Sequence, residues 1–175
     1  MLPVARFLLV QSNDEILLRW TGQTATREAS MYLGLDFADS LDSWDAAART
    51  LEVGAVNLIA ADQRSIRYRV HANVPARPAV KTGSKPWMIL DGRDAQTLWT
   101  DAQLSEAELP SALDPERGYL CSANNDPWGF TADGRVDNDP FYYGNFYDPG
   151  DRAARIESEL RRLLRDKPGR VSSDD

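Results

Sequence analysis

The residues best suited to chemistry fall between Gly118 and Leu164, in GYLCSANNDPWGFTADGRVDNDPFYYGNFYDPGDRAARIESELRRLL. Asn124 stands where a short apolar run ends. An amide at a strand end can aim its N–H groups at a developing oxyanion, a role worth ~3 kcal/mol. Asn124-Asn125-Asp126-Pro127 is equally a turn sequence, because Asn and Asp side chains hydrogen-bond their own backbone, and spacing alone favours the turn. Arg152 shares a helical stripe with Ile156, Leu160, Leu163 and Leu164, which puts a cation at the amino end of a core-facing row. A buried arginine requires anionic or hydrogen-bonding partners. A snorkelling stem, or a pair with Asp148, satisfies the same pattern, and spacing leaves both readings open.

Between these positions lie Phe141, Tyr142, Tyr143, Phe146 and Tyr147, with Trp128 and Phe130 before them. Aromatics this dense either line an apolar pocket or pin a long loop to the body of the protein. Trp128, Phe141, Tyr142 and Phe146 are the candidates for substrate contact. Asp133, Asp137, Asn138 and Asp139 carry oxygens suited to calcium but lack the twelve-residue EF-hand order, so solvated turn carboxylates are expected and no metal site. Cys121 reads as a small buried hydrophobe, and His71 follows a strand without an evident partner. Trp44 and Trp99 read as packing residues.

The elements that must position these groups follow from periodicity and punctuation. Val4–Val10 and Glu15–Thr21 are apolar runs split by Ser12-Asn13-Asp14, a hairpin signature. Thr26–Ala38 carries Ala29, Leu33 and Phe37 on one helical stripe, interrupted by Gly34. Ser40 caps a second helix with Leu41, Trp44, Ala48 and Leu51 on one face. Val56–Ala61 and Ile66–Val70 form a second hairpin; the first strand reads as buried on both faces, and the second, alternating with arginines, as half exposed. Positions 73–85 read as a surface excursion. Trp87–Leu90 reads as a short strand closed by Asp91-Gly92, and Ser105–Glu108 as a capped helical turn. Tyr119–Asn124 reads as a strand with Tyr119, Cys121 and Ala123 on one face. Asp148 as N-cap and Pro149 as the first helical residue open a last helix to about Arg165, where Arg155, Arg161 and Arg162 lie off the apolar stripe. Residues 166–175 read as a frayed tail. The pattern is α+β with mainly antiparallel sheet, organised as a single domain over 1–175.

Composition narrows the classes. With 175 residues, 42% of them hydrophobic, the chain is long enough for one core that buries roughly 70% of the unfolded surface. A formal net charge of −7 and a pI of 4.8 argue against nucleic acid or an anionic membrane as partner. Cys121, the single cysteine, excludes an intrachain disulfide, and one histidine excludes a His-rich metal site. No apolar run approaches ~18 residues, and the start has no basic region of the signal-peptide kind.

Several ordered segments resemble one family. GYLCSANNDPWGF followed by YDPGDRAARIESEL, and upstream LLRWTG, LDSWDAAA and VNLIAADQRSIRYRVHANVPAR, resemble the penicillin acylases. These are N-terminal-nucleophile amidohydrolases that include the acyl-homoserine-lactone acylases. The resemblance implies an αββα sandwich, here in part, and hydrolysis of an N-acyl substrate (a β-lactam, an acyl-homoserine lactone or a relative) through an acyl-enzyme. It implies a serine at a newly exposed N-terminus as nucleophile, with its own α-amine as base. It assigns Asn124 to the oxyanion hole and Arg152 to the support of the nucleophile and of Asn124.

In the family the nucleophile lies upstream of what aligns with Met1, so the expectation is an internal β-subunit segment that is inactive alone. Its expected partners are the remaining α-subunit and β-subunit segments. No cofactor is expected in this chain, calcium being a feature of the complete family enzyme with most of its ligands elsewhere. The family is periplasmic or secreted. The alternative from the residues is a non-catalytic module that binds a ligand or a protein.

Overall fold

A computed structural model describes residues 8–12, 15–23, 25–77, 85–95, 101–126, 140–144, 147–169 and 172. The first hairpin forms from the two apolar runs that the sequence places around Ser12-Asn13-Asp14. β1 (Leu8–Ser12) and β2 (Glu15–Arg19) pair antiparallel, from Leu8 opposite Arg19 to Ser12 opposite Glu15. A short β5 (Leu90–Asp91) adds to β1 in parallel and completes a three-stranded sheet. The strand expected over Trp87–Leu90 shrinks because Pro86 occupies a turn in which the Met88 amide donates to the Lys85 carbonyl at 2.9 Å.

Two helices follow. In α1 (Glu28–Asp36) the stripe of Ala29, Leu33 and Phe37 does not face the core: Phe37 is 83% exposed, Leu33 59%, and Met31 is the fully buried residue. Gly34 decides this. A Cβ at Gly34 would lie 2.8 Å from the Ala47 Cβ, so the glycine lets α1 approach α2 (Leu41–Ala48) by a face the hydrophobic stripe does not predict. Ser40 and Ser43 form a reciprocal capping box at the start of α2, as expected. The Glu28 carboxylate accepts the Glu52 and Val53 amides and pins α1 to the segment leaving α2; the Thr26 hydroxyl, first, and these amides hold its pKa down at about 2.

The second hairpin forms with its burial reversed. β3 (Val56–Ala61) and β4 (Ile66–His71) pair antiparallel, and Asp62 closes the turn by accepting the Arg64 and Ser65 amides. β3 lies at the edge with alternate residues exposed, whereas β4 is central, between β3 and β6 (Ser111–Leu113), and buries Tyr68, Arg69, Val70 and His71. The arginines that made β4 look half exposed are neutralised inside: Asp45 of α2 takes Arg69 Nε at 2.5 Å and Nη2 at 3.0 Å, Arg67 Nη1 at 3.2 Å and Arg49 Nη2 at 2.8 Å. Glu106, in the capped helical turn Glu106–Glu108, adds contacts to Arg49 and Arg69. Burial pushes the Asp45 carboxyl up, but hydrogen bonds from Arg69 and Arg49 and the charges of Arg69 and Arg67 bring it below its usual range.

The last helix, α3, runs over Asp151–Asp166. The architecture is α+β with two three-stranded sheets among the described residues, antiparallel except for the β1–β5 pair. No helix among these residues is long and apolar enough to cross a membrane.

Candidate active site

The segment from Tyr119 to Asn124, expected as a strand, has no regular secondary structure and ends in a bend. Tyr119, Cys121 and Ala123 are buried and alternate with less buried neighbours, as the sequence predicts, but no strand among the described residues pairs with them. Side chains tether the segment instead. Arg117 donates to the Tyr119 carbonyl at 3.1 Å and to Glu157 of α3 at 2.7 Å, while Arg161 donates to the Tyr119 hydroxyl at 2.8 Å. The Arg117 guanidinium also lies over the Tyr119 ring, 4.6 Å from its centre. Arg161, outside the apolar stripe, therefore anchors this segment as well as facing water.

The two asparagines stand differently toward the turn that spacing favours. Asn125 does the turn work: its Oδ1 accepts the Ala123 amide at 2.9 Å and its Nδ2 donates to the Asp126 carbonyl at 2.9 Å. Asn124 has φ of 61°, a left-handed conformation that Asn tolerates better than most side chains. Its exposed side chain is left for a different partner.

That partner is Arg152. Nη2 of Arg152 donates to Asn124 Oδ1 at 3.0 Å, to the Ala123 carbonyl at 2.7 Å and to Asp148 Oδ2 at 2.9 Å. A guanidinium offers donors only, so the amide oxygen must face it. The Asn124 Nδ2 group then has both N–H donors without a partner among the described residues. Such a group can receive a developing negative charge. The expectation of a buried Arg152 is corrected: the side chain is 58% exposed, because hydrogen bonds at the amino end of α3, rather than core packing, hold its head. The pairing with Asp148 is the alternative that spacing had left open, and the same guanidinium also reaches Asn124.

Asp148 is not the N-cap of α3. Gly150, with φ of 99°, takes that position, and Asp148 Oδ1 accepts the Gly150 amide at 3.1 Å. The Gly150 amide first, then Arg152, holds the Asp148 carboxyl below its usual range.

Of the substrate-contact candidates, Trp128 and Phe146 lie outside the described residues, as do Asp133, Asp137, Asn138 and Asp139. Phe141 packs edge-on against Tyr143 at 6.2 Å between ring centres. Tyr142 stacks on Trp87 at 5.7 Å, lies under the Arg77 guanidinium at 5.3 Å, and has its hydroxyl pKa pushed up by burial. Tyr142 and Tyr143 line a cavity of about 280 Å³ with Trp20, Ala55, Val74, Pro75 and Arg77. The Tyr143 hydroxyl donates to the Glu108 carbonyl at 2.7 Å, which fixes that wall. Sequence reasoning does not single out Trp20 and Arg77 as site residues, although both lie in segments that carry the family resemblance, LLRWTG and VNLIAADQRSIRYRVHANVPAR.

Cys121 is buried, and its thiol pKa is pushed up by burial first and then by the Glu157 charge, which disfavours the thiolate. His71 is buried and its pKa is lowered, by burial first. No group of three or more His, Cys, Asp or Glu residues that could hold a metal ion occurs among the described residues.

The family model for penicillin amidase matches residues 4–175. The chain is also similar to a solved structure of a thermostable penicillin G acylase from Alcaligenes faecalis, with a TM-score of 0.65 and 19% identity over 88% of this chain. The similarity covers 26% of that chain, so these residues span about a quarter of its length.

Proposed function

The chain belongs to the penicillin amidase family, and from that premise we propose that it supplies the oxyanion-hole side of an amide hydrolase acting on an N-acyl substrate. The observation that carries the proposal is the Asn124 amide, whose oxygen is taken by Arg152 at 3.0 Å and whose N–H groups have no partner among the described residues. Asn124 donates to the carbonyl oxygen as it becomes anionic, and Arg152 holds the amide in that orientation. The nucleophile is a serine carried by polypeptide outside these 175 residues. One observation supports this division: the similarity covers only 26% of the solved relative's length.

The partner is further acylase polypeptide. Ile16, Leu17 and Leu18 of β2 are successive residues, hence on both faces of the strand, and are 53%, 50% and 45% exposed. Apolar exposure on both faces of a strand fits a sheet that further chain covers. The family placement favours a periplasmic or secreted setting. The cavity beside Tyr142 and Trp20, part aromatic and part polar through Glu52, Asn73 and Arg77 and near the lower end of ligand-pocket sizes of ~300 Å³, is the candidate space for the acyl group of a β-lactam, an acyl-homoserine lactone or a similar amide.

The same cavity supports a second reading, a ligand-binding module without hydrolysis. The decisive experiment is co-expression of this chain with the α-subunit and amino-terminal β-subunit segments of a family acylase, assayed on chromogenic phenylacetyl and fatty-acyl amides. Hydrolysis that needs both parts and falls about 10²–10³-fold with Asn124→Asp is expected. Turnover by the chain alone that survives Asn124→Asp overturns the proposal. Binding of phenylacetate without any hydrolysis selects the second reading.

A further inference from the structure

Arg152 orients Asn124, but little packing holds Arg152 itself, since its side chain is 58% exposed. A long exposed side chain loses several rotatable bonds' worth of entropy when fixed, so something must hold it. Asp148 is placed to do so. Its Oδ2 accepts Arg152 Nη2 at 2.9 Å and Nε at 3.2 Å. Asp148 is fixed in turn: Oδ1 accepts the Gly150 amide at 3.1 Å, and its own amide donates to the Asn124 carbonyl at 2.8 Å.

These contacts close a ring. The main chain of Asp148 holds the main chain of Asn124, its carboxylate holds Arg152, and Arg152 returns to the Asn124 side chain. We propose that Asp148 is a positioning residue for the oxyanion hole, setting the flip of the Asn124 amide through the Arg152 guanidinium. Torsions ending in a planar amide are broad and roughly two-fold, so without the arginine the amide has no strong preference for either flip. With Arg152 clamped, the flip that puts two donors against two donors is excluded. The catalytic meaning of this geometry rests on the acylase reading above; the ring itself does not.

The first test needs no substrate. In the isotope-labelled full chain, the Asn124 carboxamide and the Arg152 Nε–H signals are followed by NMR in Asp148→Ala and Asp148→Asn. Asp148→Asn keeps an acceptor for the Gly150 amide but loses the charge. Broadening or displacement of both signals, with the amides of Tyr68 and Met31 unmoved, is the expected result. Unchanged Asn124 and Arg152 signals in a folded variant overturn the proposal; should Asp148→Ala fail to fold, Asp148→Asn decides. In the co-expressed enzyme, Asp148→Ala lowers kcat by about 10–100-fold with KM held, since misplacement of order 1 Å costs up to ~10²-fold. An unchanged kcat there also overturns it. Loss of the acylase reading leaves the NMR result standing, so the two failures are told apart.

Discussion

Arg69 of β4 and Asp45 of α2 meet as a two-pronged buried pair, Nε to Oδ1 at 2.5 Å and Nη2 to Oδ2 at 3.0 Å, with side chains 10% and 6% exposed. This pair joins helix to sheet across 24 residues and lets an arginine-bearing strand run through the centre of its sheet. Arg49 and Arg67 share the same carboxylate, and Glu106 balances the surplus charge. Removing the carboxylate therefore strands more than one cation.

Asp45→Ala is expected to destabilise the chain by about 3–5 kcal/mol, the scale for one lost partner of a buried ion pair. Arg49→Ala, at a half-exposed position, is expected to cost under ~1 kcal/mol. Urea denaturation of the two variants checks the ordering; equal small effects would mean that the cluster contributes nothing beyond surface pairing.

Asn124 combines a left-handed backbone, φ 61°, with the contact to Arg152. Asn124→Ala is expected to lose about 1–2 kcal/mol of stability, mostly backbone strain. Asn124→Asp is expected to stay within ~0.5 kcal/mol of the parent, because Asp tolerates this conformation and still accepts from Arg152. A melting comparison checks this, and it separates strain from the donor loss that only catalysis reports.

Gly34→Ala brings a methyl to 2.8 Å from the Ala47 Cβ. The gain in helix propensity, ~1 kcal/mol, is outweighed by overpacking of about 1–3 kcal/mol at a helix–helix contact. The double variant Gly34→Ala with Ala47→Gly is expected to recover the overpacking loss. Calorimetric melting of the single and double variants reads the coupling directly.

His71 is buried, accepts the attraction of the Glu106 charge and the Arg49 carbonyl, and faces Arg69 and Arg49; burial is the largest influence and its pKa lies below 6.5. The native state then binds fewer protons than the unfolded chain below that value. Stability contributed by the neutral ring is full above pH ~6.5 and declines as pH falls toward the folded pKa. His71→Gln is expected to flatten this part of the stability profile. The carboxylates Asp45 and Asp148, with pKa values lowered, lose their contributions only at pH below the ordinary carboxylate range. Melting temperatures measured between pH 5 and 8 (a window about the ordinary His value) test the assignment.

The local signals were legible. The hairpins β1–β2 and β3–β4, the Ser40 cap, the Ser105–Glu108 box and the last helix follow from period, turn residues and capping chemistry, all read within a few positions of chain. Asn124 and Arg152 are singled out by position; spacing alone favours a turn at Asn124 and leaves Arg152 open, and only the resemblance points to a site role for both. Less legible was anything whose partner is distant. β4 looked exposed because its arginines carry charge, and nothing near them in sequence announces Asp45. Met31 rather than Leu33 and Phe37 faces the core because Gly34 meets Ala47 on another helix. Asp148 looked like an N-cap because its type and its proline neighbour fit one, whereas a left-handed Gly150 moves the helix start and frees the carboxylate for Arg152.

The sequence by itself determined the α+β class, the order of most elements and the family, and it singled out Asn124 and Arg152 as the positions to look at. These depend on side-chain type and on spacings of two to four residues, which the backbone geometry of strands and helices fixes locally. Only the tertiary structure decided which strand is central, which face of α1 is buried, and which way the Asn124 amide is turned. Those outcomes depend on where a compensating charge or a missing methyl lies across the fold. The amide's orientation follows from a guanidinium 28 residues away that can donate and cannot accept.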